Sequence, residues 1–153
     1  MTSVDRFEAA RVIRASASEI FAIVSDPKGH VTIDASGSLM GAVGEPVTKV
    51  GDTFVVHMDR EALHDFDLGL YDMTVTITAF EPDRRIEWQP SLSWAHLYGY
   101  RLEPTEGGTE VTLYCDWTAV DQEWKDSGVF PVISESTLRA TLGILDRTLV
   151  PRG

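Results

Sequence analysis

The chain has 153 residues, 43% of them hydrophobic, and sets 13 basic against 24 acidic side chains for a formal net charge of −11. That length suits one compact domain burying roughly 68–70% of its unfolded surface, and the negative balance opposes phosphate backbones and anionic lipid, so no nucleic acid is expected as a partner. The single Cys115 excludes an internal disulfide, no apolar run approaches the roughly 20 residues of a membrane span, and the opening MTSVDRFEAARV lacks a secretory apolar stretch, so a cytoplasmic protein without membrane insertion is expected.

Phe7 to Ala15 reads as a strand, after which the hydrophobic period changes. Ser16 followed by Glu19 is a capping-box pair, in which each side chain satisfies a free backbone donor at a helix start. A helix is therefore expected from Ala17, with Ile20, Phe21 and Val24 as its apolar stripe and Pro27 discouraging helix at Asp26. KGHVTIDASG adds one more turn before the glycines and the GEP and KVGD punctuation open a run of strands. A short strand is expected at Ser38 to Val43, then Thr53 to Met58, Tyr71 to Phe80, Arg85 to Gln89, Ala95 to Glu103 and Glu110 to Thr118, the last two joined by PTEGG. Such short links favour an antiparallel meander. Residues 59–70, DREALHDFDLGL, form an irregular acidic connection.

The final segment, PVISESTLRATLGILDRTLV, spaces Leu138, Leu142, Leu145 and Leu149 by three or four residues, with Thr137 and Thr141 beside them. This predicts a long amphipathic helix with Pro131 in its first turn and with Arg139 and Arg147 solvated. The terminal LVPRG resembles part of a thrombin-cleavage linker, so the expected domain is 1–150, with 151–153 set aside as linker or tag remnant.

Strand, helix, a run of strands and one long helix make an α+β arrangement, in which a curved sheet covers the apolar stripe of the last helix. Alternation assigns the faces. Phe54, Val56 and Met58 point inward, as do Met73, Val75 and Ile77, while the threonines of the second set face solvent. Ile86 with Trp88, and Val111 with Leu113, Cys115 and Trp117, are the apolar sets of the later strands. In Ala95 to Glu103 the inward set is His96, Tyr98, Tyr100 and Leu102, because the opposite choice would bury Arg101.

An inward face carrying Trp88, His96, Tyr98, Tyr100, Cys115 and Trp117 is aromatic with a few polar tips, which is the composition of a ligand pocket and also of a satisfied core. His96 is the candidate general acid or base, since an unperturbed imidazole titrates near ~6.5, and Tyr98 the candidate donor to a carbonyl or enolate oxygen. Met58, Met73, Trp88, Tyr100, Cys115, Trp117, Thr137 and Thr141 are the candidate ligand-lining residues, with Asp26, Asp34 and Ser36 near the mouth. Cys115 has no base near it in sequence and reads as a small buried residue. His57, His64, Asp65 and Asp67 match no compact metal site, and GEPVTKVG and EGG lack the spacing of phosphate loops, so neither metal nor cofactor is expected.

VIRASASEIFAIVSDPKGHVTIDASG, VGDTFVVHM, FEPDRRIEWQP, YRLEPTEGGTEVTLYCDW and the terminal helix together resemble the START-like (SRPBCC) superfamily, in particular its bacterial polyketide cyclase/dehydrase-like group, over about Phe7 to Val150. The resemblance implies a helix-grip fold, a curved antiparallel sheet wrapped around a long C-terminal helix with an internal cavity for a hydrophobic ligand. Many members carry an aromatic residue after the first helix where this chain has His30. The superfamily has no universal catalytic motif, so three functions follow as expectations: a carrier or sensor of a small aromatic, polyketide-like or lipid-like molecule; a cyclase or dehydrase-type enzyme using His96 and Tyr98; or an interaction module resembling activators of a heat-shock chaperone ATPase. Nothing in the pattern sets an oligomeric state.

Overall fold

Backbone pairing fixes the architecture. The computed structural model describes residues 5–64, 68–91 and 95–152. In chain order the elements are β1 (Arg6–Ile13), α1 (Ala17–Val24), α2 (Pro27–Ile33), β2 (Leu39–Val43), β3 (Thr53–Asp59), a 3-10 turn (Arg60–Leu63), β4 (Leu70–Glu81), β5 (Arg85–Pro90), β6 (Leu97–Thr105), β7 (Gly108–Asp116), α3 (Gln122–Asp126) and α4 (Glu135–Leu149). Seven antiparallel strands form one sheet in the order β1-β7-β6-β5-β4-β3-β2. Irregularities between Leu39 and Gly41 and between Ile77 and Ala79 break the register and help the sheet curl. The result is a helix-grip α+β fold, with α4 gripped by the hollow side of the sheet.

The expected capping box is present at α1. Ser16 Oγ accepts from the Glu19 N–H at 3.1 Å while Glu19 Oε1 accepts from the Ser16 N–H at 3.5 Å, so the helix starts at Ala17. Pro27 does more than stop α1. It occupies the first turn of α2, where its missing N–H costs nothing, and Asp26 caps that helix by accepting from the Lys28 N–H at 3.0 Å. A Cβ on Gly29 would overlap the Ile23 carbonyl oxygen, so this glycine lets α2 fold tightly back on α1.

Pro131 does not enter α4. The helix begins at Glu135 because Ser134 takes the cap, its Oγ accepting from the Thr137 N–H at 3.2 Å. The short α3 has no counterpart among the expected elements, and the 59–70 connection contains the 3-10 turn. Asp65 and Asp67 lie outside the described residues, while His57 points outward and pairs with Asp72 at 2.6 Å. His96 precedes β6 rather than belonging to it: Ala95 has φ 60, a left-handed geometry that ends strand pairing, and the ladder begins at Leu97 opposite Asp116.

The inward parity assigned to the strands holds, with Phe54, Val56, Met58, Met73, Val75, Ile77, Tyr98, Tyr100, Leu102, Val111 and Leu113 all buried. From α4, Leu138, Leu142 and Leu145 complete the core. The helix lies chiefly against β1, and Arg11 Nε donates to Asp146 Oδ2 at 2.7 Å to fix its position there. On the opposite face Tyr114 lies flat over Gly99, only 1% exposed, with its hydroxyl donating to Glu87 Oε2 at 2.6 Å and the Arg6 guanidinium 4.1 Å from its ring centre. Any side chain at position 99 collides with that ring. Gly99→Ala is therefore expected to destabilise the fold by roughly 1–3 kcal/mol, read as a lower urea midpoint at unchanged slope. An unchanged midpoint would show that Tyr114 is free to move aside.

Candidate functional site

Three stacked rings make the floor of an internal cavity. Trp88 on β5 lies nearly parallel to Tyr98 and Tyr100 on β6, with centroids 6.0 and 5.6 Å apart, because Trp88 and Tyr98 are register partners and Tyr100 follows two residues on. Phe54, Val56 and Met58 of β3 and Met73 and Val75 of β4 continue this floor toward the sheet edge. Leu113 of β7 closes the other side. Overhead lie His30 and Ile33 of α2 and Thr137, Leu138 and Thr141 of α4. The space is about 120 Å³. Half-exposed Leu39, Leu63, Val132 and Ile133 ring its mouth.

The space exists because α4 covers only part of the hollow. Packed against β1, the helix seals the β1–β7 side and leaves β3 to β6 uncovered. This corrects two of the expected lining residues. Cys115 is fully buried against the Tyr98 side chain and lies outside the cavity wall. Trp117 packs edge-on against Phe7 of β1, 5.2 Å between centroids, on the sealed side. Burial pushes the Cys115 thiol up to about 12, so it is protonated and inert at neutral pH. His96, Tyr98, Met58, Met73, Trp88, Tyr100, Thr137 and Thr141 all border the cavity, and of the three mouth candidates Asp34 and Ser36 do while Asp26 does not.

Several polar groups border the cavity. Asp34 follows α2 and is held by its own loop, accepting from the N–H groups of Ser36, Gly37 and Leu39 and from Ser36 Oγ. Ser36 Oγ also bonds Ser38 Oγ at 2.7 Å, and the Thr141 hydroxyl accepts from the Ala35 N–H at 3.2 Å, which ties this loop to α4. His30 occupies the place where relatives were expected to carry an aromatic ring, and it behaves as one: its ring stands edge-on to Trp88 at 4.6 Å. Its Nε2 lies 2.8 Å from the Val24 carbonyl oxygen, so that nitrogen carries the proton and Nδ1 is the acceptor.

Arg60, first residue of the 3-10 turn, was missed. It is 3% exposed, borders the cavity, and donates from Nη1 to the Tyr71 hydroxyl at 3.3 Å. The signal was available, since position 60 continues the inward parity of Phe54, Val56 and Met58 one step past the strand. Its charge is felt inside. Burial first and the Arg60 cation second pull the His96 imidazole down to about 4, while burial and the neighbouring Cys115 push the Tyr98 hydroxyl well above its usual range. The two rings meet edge-on, 5.3 Å between centroids. Burial likewise lowers His30 to about 4, against the opposing pull of its bond to Val24.

Both histidines are thus neutral at pH 7, which makes stability depend on pH. Between the unfolded value near 6.5 and the folded value near 4, the unfolded chain takes up protons that the native state refuses. Stability is therefore complete above about pH 6.5 and declines as pH falls toward 4, by roughly 3 kcal/mol for each imidazole. Urea midpoints measured from pH 7 to 4.5 should fall steadily, and His96→Phe should flatten that slope by about half. A wild-type midpoint flat over this range would mean that these imidazoles protonate without unfolding.

No family model matches the chain. A protein of Mycobacterium tuberculosis, Rv0088, which carries no functional name, is 33% identical over 109 residues, 70% of this chain and 45% of that protein. The chain thus spans about half the length of the curated relatives it matches. Among solved structures, a protein of Rhodobacter sphaeroides superposes with TM-score 0.69 at 21% identity, covering 99% of this chain and 95% of that one. The AHSA1-like protein of Aeromonas hydrophila gives 0.61 at 18% identity over 94% and 91% of the two chains. The polyketide-cyclase-like protein of Corynebacterium glutamicum gives 0.59 at 22% identity over 97% and 93%. The chain has the helix-grip fold that these proteins share. Among the described residues, no helix is long and apolar enough to cross a membrane.

Proposed function

We propose that the chain binds a small, largely apolar organic molecule, about one aromatic ring in size, in the space between the sheet and α2 and α4. The observation that carries this reading is the cavity itself, with an aromatic floor and a lining in which a few polar groups stand among apolar ones. Its volume, about 120 Å³, is close to the ~150 Å³ that holds benzene in an engineered apolar cavity and well below the roughly 300–1,000 Å³ of drug-sized pockets. A monocyclic guest fits better than a folded polyketide chain or a lipid. Trp88, Tyr98 and Tyr100 would supply the stacking surface, and Met58 and Met73 an adaptable wall.

Binding is favoured over acid–base chemistry by the state of the polar pair. A base works best with a value near the operating pH, and His96 at about 4 holds a proton too weakly to serve as an acid at pH 7. Tyr98 stays protonated. Together they suit a hydrogen-bonding contact to a ligand oxygen rather than proton shuttling. The interaction-module alternative, suggested by the AHSA1-like neighbour, would need no such hollow.

Ligand-observed NMR with toluene, phenol and indole tests the reading. Binding to the wild type is expected, and Met73→Trp, which places an indole in the cavity, should weaken it at least about tenfold while the circular dichroism spectrum is retained. Binding that survives the filled cavity, or no binding by any of the three, sinks the proposal.

A further inference from the structure

The polar side chains that border the cavity differ in what they already touch. Ser36, Ser38, Thr137 and Thr141 each bond a neighbouring side chain or backbone group, and the Asp34 carboxylate accepts from its own loop. Neither the His30 Nδ1 nor the Tyr100 hydroxyl has a hydrogen-bond partner among the described residues, although the two residues are only 8% and 3% exposed. Protein does not seal either atom, so the cavity that both residues border reaches them. Their roles are opposite. The His30 Nε2 proton is committed to the Val24 carbonyl at 2.8 Å, so Nδ1 presents a lone pair and can only accept. Burial keeps that imidazole neutral and the Tyr100 phenol protonated, so the tyrosine can donate. Both stand against one ring, since Trp88 lies 4.6 Å from His30 and 5.6 Å from Tyr100, centroid to centroid.

We propose that the ligand is a phenol, whose ring hydroxyl donates to His30 Nδ1 and accepts from the Tyr100 hydroxyl. This rests on the ligand-binding reading above and names the class of molecule that the site selects. A hydroxyl both donates and accepts at a single atom, and a guest of about one ring leaves room for little else. A phenol titrates near ~10, so at pH 7 it keeps the proton it must donate. A carboxylate brings acceptors only and would set its lone pairs against that of Nδ1. A hydrocarbon would cover two buried polar atoms and satisfy neither. That last failure is the source of selectivity: a site built to hydrogen-bond a ligand hydroxyl rejects the analogue lacking it, because its own polar groups are then left unpaired.

Phenol and toluene separate the possibilities, because they share size and shape and differ in the hydroxyl. Titrated into the full chain at pH 7 and followed by calorimetry, phenol is expected to bind at least about tenfold more tightly than toluene, although toluene is the more hydrophobic of the two. Tyr100→Phe, which keeps the ring and removes one oxygen, should cut that ratio by at least about fivefold through weaker phenol binding while toluene binding is kept. His30→Phe should do the same. A general loosening of the cavity would weaken both probes and leave the ratio in place. A ratio unchanged in either variant overturns the assignment, and should His30→Phe fail to fold, Tyr100→Phe and the wild-type ratio decide. Toluene bound as tightly as phenol by the wild type ends this inference and spares the ligand-binding reading; no binding of toluene, phenol or indole ends both.

Discussion

The arrangement depends on where the last helix sits. Leu138, Leu142 and Leu145 must leave water, and the sheet offers one hollow face to receive them. The contact settles toward β1, where Arg11 reaches Asp146 across the edge, and not over the middle of the sheet. One helix diameter, about 10–12 Å with side chains, cannot cover seven strands spaced about 4.8 Å apart. The floor of β3 to β6 is roofed by His30 and Ile33 of α2, a seven-residue helix folded back through the Gly29 contact, together with Thr137, Leu138 and Thr141 of α4. The space beneath them is the site.

That space has a mixed lining. Its floor is an aromatic ladder set by strand register, and its polar lining includes groups that the strands do not supply: an aspartate after a short helix, an arginine at the start of a 3-10 turn, a histidine before a strand. Burial sets their protonation. Desolvation favours the uncharged form of imidazole, phenol and thiol alike, so His30, His96, Tyr98 and Cys115 are all held neutral. A cavity whose imidazoles and phenol are held neutral recognises a ligand by shape and leaves little for proton transfer.

Rigidity at the back of the sheet serves the same end. Tyr114 lies over Gly99 beneath Arg6 and Arg101, with Glu87 and Arg85 at its hydroxyl, so that the strands bearing Trp88, Tyr98 and Tyr100 are clamped from outside as well as from within. Removing the side chain at 99 is what allows this, since a strand residue there has nowhere to point but into the ring.

Much of this was legible before folding was considered. Capping chemistry placed α1, because Ser16 and Glu19 act within four residues of each other, and alternation placed the inward faces of β3 to β7, because the side-chain period of a strand is a local property. The same local logic misplaced the start of α4, where Ser134 outcompetes Pro131, and overlooked Arg60, whose parity was readable but whose neighbourhood looked like an acidic loop. Which inward residues border empty space could not be read at all. Cys115 and Trp117 share the inward face with Tyr98, yet they are sealed while Tyr98 is open, because that distinction depends on where α4 and α2 come to rest, tens of residues away in the chain. Local periodicity decides which way a side chain points; only long-range packing decides what it meets there.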